Sequence, residues 1–396
     1  MPKVLRIINR LNLGGPTYNT AYLSKYLAPE FETMLVAGIK EKDEESSEFI
    51  VEQMGLKPVF IPEMRREINF SNDRTAYLKI KKLISEFKPD IVHTHAAKAG
   101  TLGRLAASHM RVPVILHTFH GHVFHSYFNP VKTAIFKNIE RYLSKRSTRI
   151  IAISDLQKEE LCRVHKVCTC DQTVVIPLGF DLDRFRLNRE NLRSQFRKQY
   201  AISSDTLVIV IIGRIVPVKN HEFFVRSLSE IKKRFQGKLA GFIVGDGDNR
   251  SQMEQLAVSL GLSISTPEKE NQGADLVFTS WIHDVERPLA GSDIVAMTSL
   301  NEGTPVSLIE AQAAGIPIVT TEVGGIGNVV LPGKTAFLSA TGDGETFITN
   351  TLTLLNDPLL RKEMTLAGWP FVENKFHYRR LVEDTRMLYR DLLQNS

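Results

Sequence analysis

Two successive sets of short apolar runs, each alternating with amphipathic helical stretches, constrain this chain more than any other feature. The first set predicts strands at 4–8, 33–37, 59–61, 91–93, 114–118, 149–153 and 174–177. Helices fall between them at 17–27, 73–87, 100–108 and 130–144. The second set predicts strands at 207–212, 240–244, 276–279, 294–297, 318–321 and 336–338, with helices at 221–235, 250–260, 305–314 and 346–356. Strands that are apolar on both faces and separated by helices imply parallel sheets covered on both sides. The fold class is therefore α/β, with two doubly wound, Rossmann-like domains facing a cleft. A charged, strandless stretch near 183–204 marks the break. The expected division is a first domain over 1–185, a linker over 186–204 and a second domain over 205–368. A crossover segment over 369–396 follows, whose amphipathic helix at 378–393 packs back on the first domain. A length of 396 residues suits two domains.

The longest apolar runs, such as 207–212, are strand-sized. None approaches the roughly 18 residues of a membrane-spanning helix. No secretory signal is expected, because 4–8 is too short and reads as a strand. Net charge is +6, and many cations lie between 65 and 149: Arg65, Arg66, Lys79, Lys81, Lys82, Arg141, Lys145 and Arg146. They form either a solvated basic face or a peripheral contact with an anionic membrane, at about 1 kcal/mol per well-placed cation. No nucleic-acid module is present in the pattern. The three cysteines, Cys162, Cys168 and Cys170, lack the second pair a zinc site needs. They are expected as reduced thiols, which fits a cytoplasmic location.

Ligands of doubly wound sheets collect at the carboxyl ends of strands. The run from Glu302 to Glu310 lies there. Thr304 is expected as an N-cap and Pro305 as the first helical residue, with Gly315 closing the helix. Glu302 then precedes the helix and Glu310 lies on its second turn. Between them, the free N–H groups of Gly303, Thr304, Val306 and their neighbours, with the positive helix end, make an anion site. A phosphate between two hydroxyl-bearing rings suits it, as in a nucleotide-sugar. Arg214 and Lys219, after an earlier strand, can clamp a diphosphate. Gly14-Gly15 and Gly245 permit close backbone approach, although no full GxGxxG fingerprint is present. Trp281 can seat a base or fill core. Gly324-Gly325 suits a phosphate, a sugar or a tight turn. Seven histidines fall between His93 and His125 without joining acids or cysteines at metal-ligand spacing. Of these, His120 lies just past a buried strand, where it can donate to a sugar hydroxyl.

Together these residues resemble the retaining glycosyltransferases of family 4, with GT-B architecture. The ordered set is Gly14-Gly15, His120, Ser154-Asp155, 177–181, Gly213-Arg214 with Lys219, Glu302 with Glu310, and Gly324-Gly325. The runs 98–104 and 117–122 resemble the bacterial capsule and O-antigen branch. The resemblance implies catalytic roles for His120, Arg214, Lys219 and Glu302. It implies donor binding by Gly15, Gly245, Trp281, Gly303, Thr304, Pro305, Val306 and Glu310. Glu302 would hold the donor sugar, Glu310 the ribose, and Arg214 with Lys219 the departing diphosphate. The donor would be a nucleotide-sugar, with UDP the preferred carrier, and no cofactor or metal is expected. The acceptor would be a lipid-linked saccharide or oligosaccharide at the inner membrane face. A sugar-nucleotide epimerase of the same architecture and a non-catalytic sugar-nucleotide-binding scaffold are the alternatives.

Overall fold

Val4, Leu5, Ile7 and Ile8 are all buried, so the first strand is covered on both faces. The other central strands repeat this burial in the computed structural model, which describes residues 1–11, 15–39, 48–65, 67–121 and 130–395. The chain divides into two units, Met1–Phe180 with Lys375–Ser396, and Asp181–Asn374.

In the first unit the elements are β1 (Lys3–Arg10), α1 (Gly15–Tyr26), β2 (Glu32–Gly38), α2 (Glu48–Gln53), β3 (Val59–Ile61), α3 (Phe70–Phe87) and β4 (Ile91–His95). There follow α4 (Ala97–His109), β5 (Val114–Thr118), α5 (Pro130–Ser144), β6 (Arg149–Ala152), α6 (Asp155–Glu159) and β7 (Thr173–Val175). The sheet order is β3-β2-β1-β4-β5-β6-β7, all parallel. Sequence order reverses between β1 and β4. The last helix, running over Tyr378–Gln394, also belongs to this unit. Its Leu381, Val382 and Tyr389 are buried against Val4, Leu23, Ile91 and Ile176. The amphipathic tail therefore does pack on the first sheet, as its pattern requires.

The second unit opens with α7 (Arg189–Gln199), β8 (Leu207–Ile212), α8 (His221–Arg234), β9 (Leu239–Val244), α9 (Arg250–Ser259), β10 (Ile264–Ser265) and β11 (Leu276–Phe278). Then come α10 (Glu286–Gly291), β12 (Ile294–Met297), α11 (Val306–Ala313), β13 (Ile318–Thr321), α12 (Ile326–Val329), β14 (Ala336–Ser339), α13 (Gly344–Asn356) and α14 (Pro358–Phe376). The final helix of the chain is thus α15 (Tyr378–Gln394). The order β10-β11-β9-β8-β12-β13-β14 is again fully parallel, reversing between β8 and β12.

Helix α7 belongs to this unit. Phe196 is fully buried and its ring meets Phe242, with centroids 5.2 Å apart. Arg193 and Arg197 both grip Asp293, at 2.7 and 2.8 Å. The expected crossover segment over 369–396 begins inside α14, which contains Trp369 and Pro370. The two chain crossings are tied within the first unit. The Phe180 N–H donates to the Phe376 carbonyl at 2.8 Å, and the Tyr378 N–H to the Phe180 carbonyl at 3.0 Å.

The cysteine expectation needs correction. Cys162 and Cys170 form a disulfide with Cα atoms 5.2 Å apart, and only Cys168 is free. A π-helical turn at Glu160–Val164 followed by a loop brings residues 8 apart within bridging reach. Spacing along the chain could not show that approach.

Candidate active site

The reversal in the second sheet places the loop after β8 beside the loop after β12. The Leu300 N–H donates to the Val218 carbonyl at 2.8 Å, and the Thr298 hydroxyl donates to the carbonyls of Lys219 and Asn220. Lys219 and Glu302, 83 positions apart, therefore meet, with Nζ 2.5 Å from Oε1. The Ser299 hydroxyl donates to the same oxygen at 2.6 Å. Glu302 is mostly buried while Lys219 keeps solvent access. Oε2 of Glu302 and the remaining ammonium protons of Lys219 stay open to a ligand. Arg214, from the same loop as Lys219, is exposed, and its side chain has no ion pair or hydrogen bond among the described residues.

Helix α11 starts one residue later than its sequence suggests. Pro305, not Thr304, occupies the N-cap position, with extended backbone at φ −69° and ψ 103°, and no side chain caps the helix. A residue before proline is steered away from helical geometry, which keeps Thr304 in the loop. Among the described residues the N–H groups of Gly303, Thr304, Val306 and Ser307 have no protein acceptor. The first turn is therefore left as an open anion site. Gly315, at φ +69°, closes the other end as expected.

Two glycine loops frame these groups. The Gly325 N–H donates to the Glu302 carbonyl at 2.8 Å, and a side chain at Gly325 would strike the Gly303 carbonyl. Gly245 holds φ +141°, and a side chain there would strike the Gly213 carbonyl. Gly245 also donates to the Ser280 carbonyl at 3.0 Å, which sets the loop bearing Trp281. Trp281 is half exposed, so it is not core.

Glu310 lies on the second turn of α11, mostly buried. Burial pushes its carboxyl up to about 7; Glu286 nearby adds to the rise and Arg184 opposes it. Arg184 reaches Glu310 at 3.5 Å and Glu286 at 3.9 Å. Neither Arg184 nor Glu286 was singled out from sequence, because nothing local links them to Glu310.

In the first unit, Gly15 opens α1, close to the Leu178 side chain. Gly14, Arg66, His122 and His125 lie outside the described residues. His120 follows β5. Its Nε2 lies 2.9 Å from His95 Nδ1, and burial lowers its pKa to about 4. Its Nδ1 is buried without a partner among the described residues. His93, His95 and His117 are buried and also held well below the usual imidazole range, by burial first and then by neighbouring cations and rings. Sequence reasoning missed Arg6 and Tyr389, which bond to His93. A charged residue inside the apolar run 4–8 was the signal available.

A concavity of about 620 Å³ in the second unit lies elsewhere. It flanks β9 and β11, with Tyr200, Ala240 and Phe242 in its walls, and contains none of the groups above. The carboxyl-end loops, where doubly wound sheets bind ligands, are the better candidate.

Residues 13–184 match the family described as Glycosyltransferase Family 4, and residues 206–357 match Glycosyl transferases group 1. The chain belongs to the family 4, group 1 glycosyltransferases. This glycosyltransferase is 28% identical over 344 residues to the Escherichia coli UDP-Gal:alpha-D-GlcNAc-diphosphoundecaprenol alpha-1,3-galactosyltransferase, covering 86% of this chain and 85% of that protein. It is 27% identical over 348 residues to the Staphylococcus aureus capsular polysaccharide biosynthesis glycosyltransferase CapM, covering 84% and 85%. Its GT-B fold matches the crystal structure of a glycosyltransferase from Rickettsia africae, with a TM-score of 0.81 at 20% identity, over 100% of this chain and 99% of that one.

Proposed function

We propose that this glycosyltransferase moves a hexosyl or N-acetylhexosaminyl group from a UDP-sugar to a lipid-linked saccharide in cell-surface polysaccharide synthesis. The configuration at the transferred carbon is retained, and no resident metal takes part. The similarity along most of both chains to an enzyme named for UDP-galactose and a diphosphoundecaprenol acceptor carries the reading.

Cleavage of the bond between the sugar and the diphosphate leaves negative charge on the departing oxygen. Arg214 and the open first turn of α11 stabilise that charge, as preorganised donors do. Lys219, paired with Glu302, adds a second cation, and Oε2 of Glu302 accepts from a sugar hydroxyl. Glu310 accepts from the ribose hydroxyls, Trp281 and the Gly245 loop border the base, and His120 donates to a hydroxyl of bound sugar. The glycosidase pair of carboxylates is not the template, because Glu302 is tied to Lys219 and Ser299.

No helix among the described residues is long and apolar enough to cross a membrane. A peripheral contact at the cytoplasmic membrane face would bring a lipid-linked acceptor within reach. Helix α5 suits it: Ile135, Ile139 and Tyr142 are exposed at helical spacing, and Arg141 and Lys145 are exposed beside them. Replacing Ile135 and Ile139 together by serine should reduce sedimentation with phosphatidylglycerol vesicles. Undiminished sedimentation rejects this face.

The function itself is tested with a panel of UDP-sugars and a synthetic GlcNAc-diphosphate lipid. An α-linked product, formed equally in EDTA, is expected. Free UDP and an altered sugar without any acceptor product would instead identify an epimerase.

A further inference from the structure

Arg6 lies in the middle of β1, fully buried, with no carboxylate partner among the described residues. Its partners are aromatic. Nη1 lies 3.1 Å from His93 Nδ1 and 3.4 Å from His95 Nε2, and Nη2 donates to the Tyr389 hydroxyl at 3.2 Å. A guanidinium has donors only, so both facing ring nitrogens must accept. His93 then carries its proton on Nε2, 2.7 Å from the Thr118 hydroxyl. The Tyr389 hydroxyl, 2.7 Å from His93 Nδ1, donates there too.

The same logic runs outward through His95. With Nε2 accepting from Arg6, neutral His95 carries its proton on Nδ1 and donates it to His120 Nε2 at 2.9 Å. The ring planes are tilted by only 29° with centroids 5.1 Å apart, so the two rings meet edge to edge, as an in-plane N–H···N hydrogen bond requires. His120 must therefore accept at Nε2 and hold its own proton on Nδ1, the atom left buried without a partner. Burial keeps these rings neutral, as the lowered pKa values require. An unmet buried donor costs free energy until an acceptor arrives.

We propose that Arg6 is a positioning residue which, acting through His95, fixes His120 as an Nδ1–H donor aimed at a sugar hydroxyl, with Tyr389 of α15 holding the guanidinium in place. The relay deepens the proposed function and rests on its assignment of His120 to bound sugar.

The test is long-range 1H–15N spectroscopy of the full chain labelled with 15N-histidine at pH 7, with His120→Gln identifying the signal. A neutral His120 protonated on Nδ1 is expected, the reverse of the form free histidine prefers. Arg6→Met should move the proton wholly or partly to Nε2, and Arg6→Lys should restore Nδ1. Turnover should fall about tenfold in Arg6→Met with little change in donor KM, as for loss of one neutral hydrogen bond in the transition state. Tyr389→Phe, which removes one hydroxyl, should shift the tautomer in the same direction if Arg6→Met does not fold. An Nε2–H or doubly protonated His120 in the unaltered protein, or a tautomer indifferent to both variants, overturns the relay. A tautomer that responds while turnover does not would uphold the relay and remove His120 from sugar binding.

Discussion

Replacing Glu310 by glutamine should strengthen the empty protein and weaken its hold on UDP. Glu310 is raised from an ordinary 4.5 to about 7, because burial outweighs the partial neutralisation by Arg184. The sign follows from proton linkage. The folded state binds the proton more tightly, so stability is lost as pH rises from about 4.5 through about 7. Above pH 8 the ionised carboxylate costs the empty protein up to about 3 kcal/mol. Glutamine keeps the shape and the Arg184 contact without that charge. Denaturant unfolding at pH 8 should therefore show Glu310→Gln more stable than the unaltered chain, with the difference fading below pH 5. Binding runs the other way, since the ribose hydroxyls need the ionised acceptor. If only that form binds, the dissociation constant for UDP rises about tenfold per pH unit below 7. Isothermal titration calorimetry from pH 5.5 to 8.5 reads this directly. Glu310→Gln should bind weakly at pH 8 and lose the dependence on this group, retaining only that of UDP itself. Equal UDP affinity and the same pH trend in both proteins would refute the assignment of Glu310.

Arg214→Ala should lower turnover by about a hundredfold while UDP affinity changes less, because the diphosphate charge grows in the transition state; equal losses in both would count against that role. Gly245→Ala should lower stability by at least about 2 kcal/mol, since it meets both a positive φ and the Gly213 carbonyl; an unchanged melting temperature would show that the loop relaxes. Thiol titration of the unfolded, non-reduced protein should find one reactive cysteine, Cys168, and three after reduction; three before reduction would contradict the pairing of Cys162 with Cys170.

Apolar runs of strand length fixed most sheet elements, because a strand buried on both faces admits almost no polar residue. Leu207–Ile212 and Ile294–Met297 are legible for that reason. The strand Ile264–Ser265 was not, since two residues carry no period. Gly315 after α11, Glu302 before it and Glu310 on its second turn were also legible, because helix ends depend on local backbone chemistry. Which groups touch was not. Lys219 meets Glu302 only because β8 and β12 are neighbours in the sheet. Arg184 finds Glu310 from 126 positions away, and Tyr389 finds His93 from 296. The protonation of Glu310 and His120 likewise follows from burial, which three-dimensional packing sets. Local sequence thus determined the elements and the residue types at their ends, through periodicity and backbone sterics. Sheet order and packing alone decided the ion pairs, the disulfide and the charge states, because these depend on distances through space.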